Sequence, residues 1–181
     1  LPDTFRRTQP EEKWVGVAPF AAHKGKIYPL EKLLSALQLL TQKESNIRLF
    51  FFCGGKSEHE QVAQLCQVLP KAVDASALLS GLADELNLMS NLDAMLSMDS
   101  GNMHLASMVG LPTVSIWGAT HPFAGFMGWN QPDSLDVQVD LPCRPCSIYG
   151  NKPCRRGDYA CLNQIKEEVI VEKILHILHP Y

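Results

Sequence analysis

The side chains most able to do chemistry in this sequence fall in five short stretches. Lys26 lies in a loop of small residues, FAAHKGK. Its compact positive charge suits a phosphate, or it is a solvated surface lysine, with Lys24 near enough to stand in for it. Glu58 follows Gly54-Gly55 and could accept hydrogen bonds from ribose hydroxyls or a base amine. It is also an acid in a helix first turn, which favours the dipole by about 0.3–1 kcal/mol, and the two roles are compatible. Asp99-Ser100-Gly101 stands where a strand ends and a helix can begin, so backbone N–H groups and the helix dipole could hold a phosphate or a sugar. Gly101 lets a ligand approach the backbone and Ser100 adds a hydroxyl. The alternative is that Asp99 or Ser100 only caps the helix. Asp99 repels phosphate and makes more sense as an acceptor for sugar hydroxyls. His104, one turn on, either faces the ligand or is a core histidine bonded to a backbone carbonyl. Finally, Cys143, Cys146, Cys154 and Cys161 place four thiols within nineteen residues.

The apolar pattern supplies elements to position these groups. Residues 14–18, 47–52, 71–75, 94–98, 113–117 and 135–139 read as strands, the third weak and the last an edge strand. Strand 47–52, apolar apart from Arg48, looks covered on both faces, as in a parallel sheet. Pro29 suits the first position of a helix carrying Leu30, Leu33, Leu34, Leu37 and Leu40 on one face. Glu58 opens a second helix, with Val62, Leu65, Cys66 and Leu69. Leu82, Leu86 and Met89 mark a third, and Met103, Leu105, Ala106 and Met108 a fourth, which Gly110 caps and Pro112 ends. Residues 165–178 form the last. Alternating strands and helices make an α/β, Rossmann-like doubly wound parallel sheet with right-handed crossovers. Ligands in such sheets bind outside the carboxyl ends of the strands, which puts the loops after Ala18, Phe52 and Met98 together. Residues 1–13 read as a linker or tail, 14–181 as one domain, and 141–161 as a Cys-rich loop within it.

At 181 residues the chain has room for one domain with a proper core. A net charge of −3 offers no general attraction to nucleic acid or anionic lipid. No apolar run reaches transmembrane length. Six clustered cysteines are too few for a secreted disulfide scaffold, so the expected compartment is cytoplasmic. The first residue is Leu1, which suggests a piece of a longer protein.

The stretch DSGNMHLASMVGLPTVSIWGATHP resembles the heptosyltransferase-like glycosyltransferases, which build bacterial lipopolysaccharide core. Asp99, Ser100, Gly101, His104, Gly110, Pro112, Thr113, Gly118, Thr120 and Pro122 match their pattern, while Ala119 and His121 depart from it. Lys26-Ile27-Tyr28-Pro29 is similar to the family's Lys-x-Trp-Pro, with Tyr28 in place of Trp. The resemblance runs from about Val15 to Pro122 and covers the C-terminal, donor-binding half of a GT-B glycosyltransferase. It implies that Lys26 contacts the diphosphate of an ADP-sugar donor, that Glu58 contacts its nucleoside, and that His104 lines the donor pocket. It further implies inverting transfer of a heptose or related sugar to a lipopolysaccharide core or lipid-linked acceptor. An N-terminal domain, not in this chain, would bind that acceptor and supply the general base. ADP is favoured over UDP by the resemblance alone. No acidic pair with metal-ligand spacing lies near these loops, and no Mg²⁺ or other cofactor is expected for the transfer, as the resemblance also implies.

The four loop thiols could hold a structural Zn²⁺, or be reduced thiols or an adventitious disulfide. The nearby Arg144, Lys152, Arg155 and Arg156 would lower the thiol pKa values. These basic residues either face an anionic lipid acceptor at the inner face of the inner membrane or are simply solvated. Cys53 and Cys66 lie on apolar faces and read as core residues. Two other readings are a non-catalytic, zinc-stabilised interaction module and a GT-B-fold sugar-nucleotide epimerase, for which no catalytic acids are apparent.

Overall fold

A computed structural model describes residues 3–180. Six strands form one sheet: β1 (Lys13–Ala18), β2 (Ile47–Phe51), β3 (Ala72–Asp74), β4 (Ala94–Met98), β5 (Thr113–Ile116) and β6 (Asp136–Val137). Their order across the sheet is β3-β2-β1-β4-β5-β6, and every neighbouring pair is parallel. The chain runs outward from β1 to β3, crosses back to β4, and runs outward again. The switch point therefore lies between β1 and β4, where Val15 pairs with Ala94 and Val17 with Leu96.

The helices are α1 (Leu30–Lys43), α2 (Lys56–Val68), α3 (Leu82–Met89), α4 (Gly101–Met108), α5 (Ala160–Asn163) and α6 (Glu167–Leu178). The pleat sends alternate residues to opposite faces. Val15, Val17, Leu49, Phe51, Leu96 and Ile116 pack with Leu33, Leu37, Val62, Ile170 and Ile174 from α1, α2 and α6. Trp14, Ala18, Phe50, Phe52 and Met95 pack with Leu88, Met89 and Ala106 from α3 and α4. Gly16 carries no side chain because the layer is full there: a Cβ would lie 2.4 Å from Met95 Sδ and 2.8 Å from Leu92 Cδ1.

Several expectations are corrected in detail. Pro29 is the residue before α1, whose first helical residue is Leu30. The edge strand shrinks to two residues. Met108 is 69% exposed and carries no core face of α4. Gly110, at φ +74°, does end that helix. Residues 1–13 do not behave as a linker, although residues 1 and 2 lie outside the described residues. Phe5 is buried with its ring 5.9 Å from that of Phe50, Arg7 pairs with Asp93 at 3.0 Å, and Lys13 belongs to β1. Cys53 and Cys66 are half-buried rather than core residues. The Cys-rich loop gives up Ala160 and Cys161 to α5.

Tyr28 fixes the end of the lysine loop. It is fully buried, and its hydroxyl donates to the Ile165 carbonyl at 3.1 Å just before α6. Tyr28→Phe leaves that carbonyl unpaired in the interior. Urea unfolding should show a loss of about 1–3 kcal/mol, the cost of one unmet buried hydrogen-bonding group.

Candidate functional site

Three loops leave the carboxyl ends of β1, β2 and β4 and meet around the switch point. In the first, residues 24–26 form a single 3-10 turn. The turn is sewn to the exit of β5 by the Ala119 N–H, which donates to the Gly25 carbonyl at 2.8 Å. The approach is close: a Cβ on Gly118 would sit 2.4 Å from the Gly25 carbonyl oxygen, and one on Gly25 would sit 2.8 Å from Ala119 Cβ. Gly150 lies along the aliphatic stem of Lys26 at φ +72°, where a Cβ would come within 2.9 Å of the stem.

The stem directs the ammonium to Asp99, 2.9 Å from Lys26 Nζ to Oδ2. Thr120 Oγ1 donates to the same oxygen at 2.7 Å. Asp99 is only 3% exposed, so its carboxylate lies beneath the lysine and fixes it. Oδ2 is thus taken by Lys26 and Thr120, while the residue still lines the cleft where an acceptor of sugar hydroxyls is expected. Neither Asp99 nor Ser100 caps α4 by its side chain. Ser100 Oγ instead lies 3.4 Å from Ser97 Oγ. The first-turn N–H groups of α4 are thus left for a ligand. Lys24 is not a substitute for Lys26, since its ammonium sits over the Tyr159 ring at 5.2 Å.

The cleft has two parts that share Ala22, Ser100 and Gly101. One, of about 410 Å³, is lined by Lys26, Asp99 and His104, with Phe126 and Tyr149 as an aromatic wall. The other, of about 270 Å³, is lined by Cys53, Gly54 and Glu58. A Cβ on Gly101 or Gly54 would meet nothing within 4 Å, so the backbone there opens directly onto the cleft. Glu58 accepts the Gly54 N–H through Oε2 at 2.8 Å, which holds the turn at the edge of the cleft. His104 is half-buried and lines the cleft rather than the core. Lys26, Glu58, Asp99, Ser100, Gly101 and His104 therefore all line one cleft. A hollow of about 480 Å³ between the C-terminal ends of α1 and α6 holds none of them.

Sequence reasoning gave no role to Thr120, Tyr149 or Phe126, and misplaced Arg144. Thr120 lay inside the matched motif, but nothing local in sequence pointed to the two aromatic residues. Arg144 is not solvated. Its guanidinium donates to the carbonyls of Gly118, Val139, Trp117 and Thr120 and to Gln138 Oε1. The Cys146 N–H adds a bond to the Ala119 carbonyl at 2.8 Å. These bonds pin the Cys-rich loop to the exit of β5. His121, which departs from the family pattern, caps the next turn through Nδ1, which accepts the Phe123 N–H at 3.1 Å.

The four loop cysteines share a neighbourhood without forming a ligand sphere. Among the described residues no three of their sulfurs lie within 4.8 Å of one another. Burial pushes the Cys161 thiol up, opposed by Arg144 and assisted by Cys146, Cys154 and Cys143. The Cys154 thiol moves down, and the arginine charges are not the cause. Against slight desolvation, the backbone N–H groups of Tyr159, Arg156 and Gly157 favour its thiolate.

A parallel sheet of this strand order, with a cleft at its switch point, defines a Rossmann-like domain of the kind that holds nucleotides. The chain belongs to glycosyltransferase family 9: the sequence profile of that family, described as glycosyltransferase family 9 (heptosyltransferase), matches residues 3–154. Lipooligosaccharide heptosyltransferase 2 of Campylobacter jejuni is 27% identical over 135 residues, 73% of this chain and 42% of that protein. Lipopolysaccharide heptosyltransferase 1 of Pseudomonas aeruginosa is 33% identical over 94 residues, 51% of this chain and 25% of that protein. Among solved structures, ADP-heptose LPS heptosyltransferase II of E. coli is similar with a TM-score of 0.69 at 18% identity, covering 94% of this chain and 47% of that one. A family 9 glycosyltransferase of Veillonella parvula gives a TM-score of 0.70 at 18% identity over the same shares. The chain spans less than half the length of each. The fold is the one the resemblance implied, a Rossmann-like doubly wound parallel sheet. Among the described residues no helix is long and apolar enough to cross a membrane.

The Lys26–Asp99 pair is testable by a double-mutant cycle. Lys26→Met strands a buried carboxylate and destabilises the fold, and adding Asp99→Asn recovers part of the loss. Chemical unfolding of the four proteins should give a favourable coupling of about 0.5–3 kcal/mol.

Proposed function

We propose that this chain is the donor-binding half of an inverting glycosyltransferase that transfers heptose or a related sugar from an ADP-sugar to a lipopolysaccharide core acceptor. The observation that carries this reading is the convergence of Lys26, the α4 amides and Glu58 on one cleft at the switch point. The pyrophosphate sits at the shared floor of Ala22, Ser100 and Gly101. The nucleoside extends toward Gly54 and Glu58, and the sugar toward His104 and the aromatic wall.

In the reaction an acceptor hydroxyl attacks the anomeric carbon, the bond to the diphosphate breaks, and the nucleoside diphosphate leaves. Negative charge grows on the leaving diphosphate. Lys26 and the α4 amides already point where it develops, which is electrostatic preorganisation. Asp99 and Thr120 hold Lys26 there before the donor arrives. The hydroxyl's proton goes to a base on the acceptor-binding domain, outside this chain. The E. coli neighbour WaaC, whose structures contain ADP and an ADP-heptose analogue, supports ADP as the nucleotide. A lipid-linked acceptor places the enzyme in the cytoplasm, at the inner face of the membrane.

Calorimetry on the chain is the direct test. ADP should bind, and AMP should bind at least roughly tenfold more weakly, since a charged hydrogen bond is worth about 1.5–3 kcal/mol. Lys26→Ala should remove most of that preference. Equal binding of ADP and AMP would refute the assignment of the diphosphate to this corner.

A structural Zn²⁺ at Cys143, Cys146, Cys154 and Cys161 is proposed on the thiol count and on two of the four being buried. The sulfurs would have to draw together around the ion. Protein purified without chelator should then carry zinc, and a thiol titration should find these four protected until the metal is removed. Four freely reactive thiols would reject it.

A further inference from the structure

The nucleoside end of the cleft, where Cys53 is one of the lining residues, continues into a cluster to which the donor reading assigns no role. Cys53 follows β2, His59 lies in the first turns of α2, and Asp74 ends β3. Cys53 Sγ is 3.3 Å from His59 Nδ1 and 3.8 Å from Asp74 Oδ1. His59 Nδ1 is 2.7 Å from Asp74 Oδ2. One atom from each residue thus lies within 4.8 Å of the other two, and all three residues are half-buried.

The arrangement does not suit nucleophilic catalysis. In a nucleophile triad, the acid and the nucleophile take opposite nitrogens of the imidazole. Here both contact Nδ1. Asp74 Oδ1 lies 3.8 Å from Sγ, and Glu58 and Glu85 add further negative charge around it. The charges that act on this thiol are acidic. A divalent cation is the species that would balance a thiolate and a carboxylate together.

We propose that Cys53, His59 and Asp74 form a binding site for a zinc-class divalent cation, held by Sγ, Nδ1 and a carboxylate oxygen, with a fourth position toward the cleft at Gly54. A thiolate, an imidazole and a carboxylate together select Zn²⁺ or Co²⁺ over Mg²⁺ or Ca²⁺. Binding through Sγ releases the thiol proton, and the imidazole, ligating through Nδ1, carries its one proton on Nε2. The groups behind the ligands are already oriented. Asp74 Oδ1 accepts the Ala77 N–H at 3.1 Å. The Cys53 N–H donates to Ser76 Oγ at 3.2 Å, and that hydroxyl donates to Glu85 at 2.7 Å. Such outer bonds are what fix metal ligands in place. The ion would clamp β2, α2 and β3 at the wall that carries Gly54 and Glu58. The proposal stands apart from the donor reading, because it concerns metal and not nucleotide.

The test strips the chain with EDTA and titrates it with Zn²⁺ and Co²⁺, alongside His59→Gln and Asp74→Asn. Each variant should lose one equivalent of Zn²⁺, bound more than about 100-fold more weakly, since losing an outer partner alone costs 10–100-fold. The four loop cysteines are intact in both variants, so any ion they hold is retained. In the parent chain, nitrogen NMR should show the His59 Nδ1 resonance moving with the first equivalents of Zn²⁺. This readout needs no variant and decides the matter even if a substitution unfolds the chain. A His59 nitrogen indifferent to Zn²⁺, or variants that bind as much Zn²⁺ as the parent, would overturn the proposal.

Discussion

A buried carboxylate organises this domain. Asp99 sits at the end of β4, almost out of contact with solvent, and receives Lys26 and Thr120 on one oxygen. An unpaired charge in that position would be very costly, so the partners must be there. The lysine loop and the exit of β5 are thereby drawn to the same point from opposite sides of β4. The floor of the cleft, with its free amides at Gly101, lies between them. The same pair that steadies the fold thus places a cation beside the helix start before any ligand is present.

Much of the architecture can be seen in the residue pattern because the central strands are short, apolar and buried on both faces. The 94–98 run and the Gly110–Pro112 helix stop contain their own information, and the structure follows them. What could not be seen depends on distant partners. Phe5 looks like part of a polar tail until Phe50 is known to lie beside it. Arg144 looks solvated because its acceptors are mainly backbone carbonyls, which leave no mark on a sequence. Residues 136–137 pair too briefly for any periodicity to define them.

The site shows the same division. Lys26, Glu58, Ser100, Gly101 and His104 were legible because each stands at a strand exit in a parallel sheet, where topology alone brings loops together. The depth of Asp99 was not legible, since burial there is set by a lysine 73 positions earlier and a threonine 21 positions later. Cys53 read as a core thiol for a similar reason. Its neighbours His59 and Asp74 reach it across two further elements, and only the folded chain shows the three atoms facing one another.

The contact between Gly25 and Gly118 has a wider meaning. Here two stretches of main chain touch with no side chain between them, so the height of the ammonium above the sheet is set by peptide against peptide. A methyl group at either glycine would push the two stretches of main chain apart and move the charge with them. The geometry of the corner is therefore guarded by two absences of side chain.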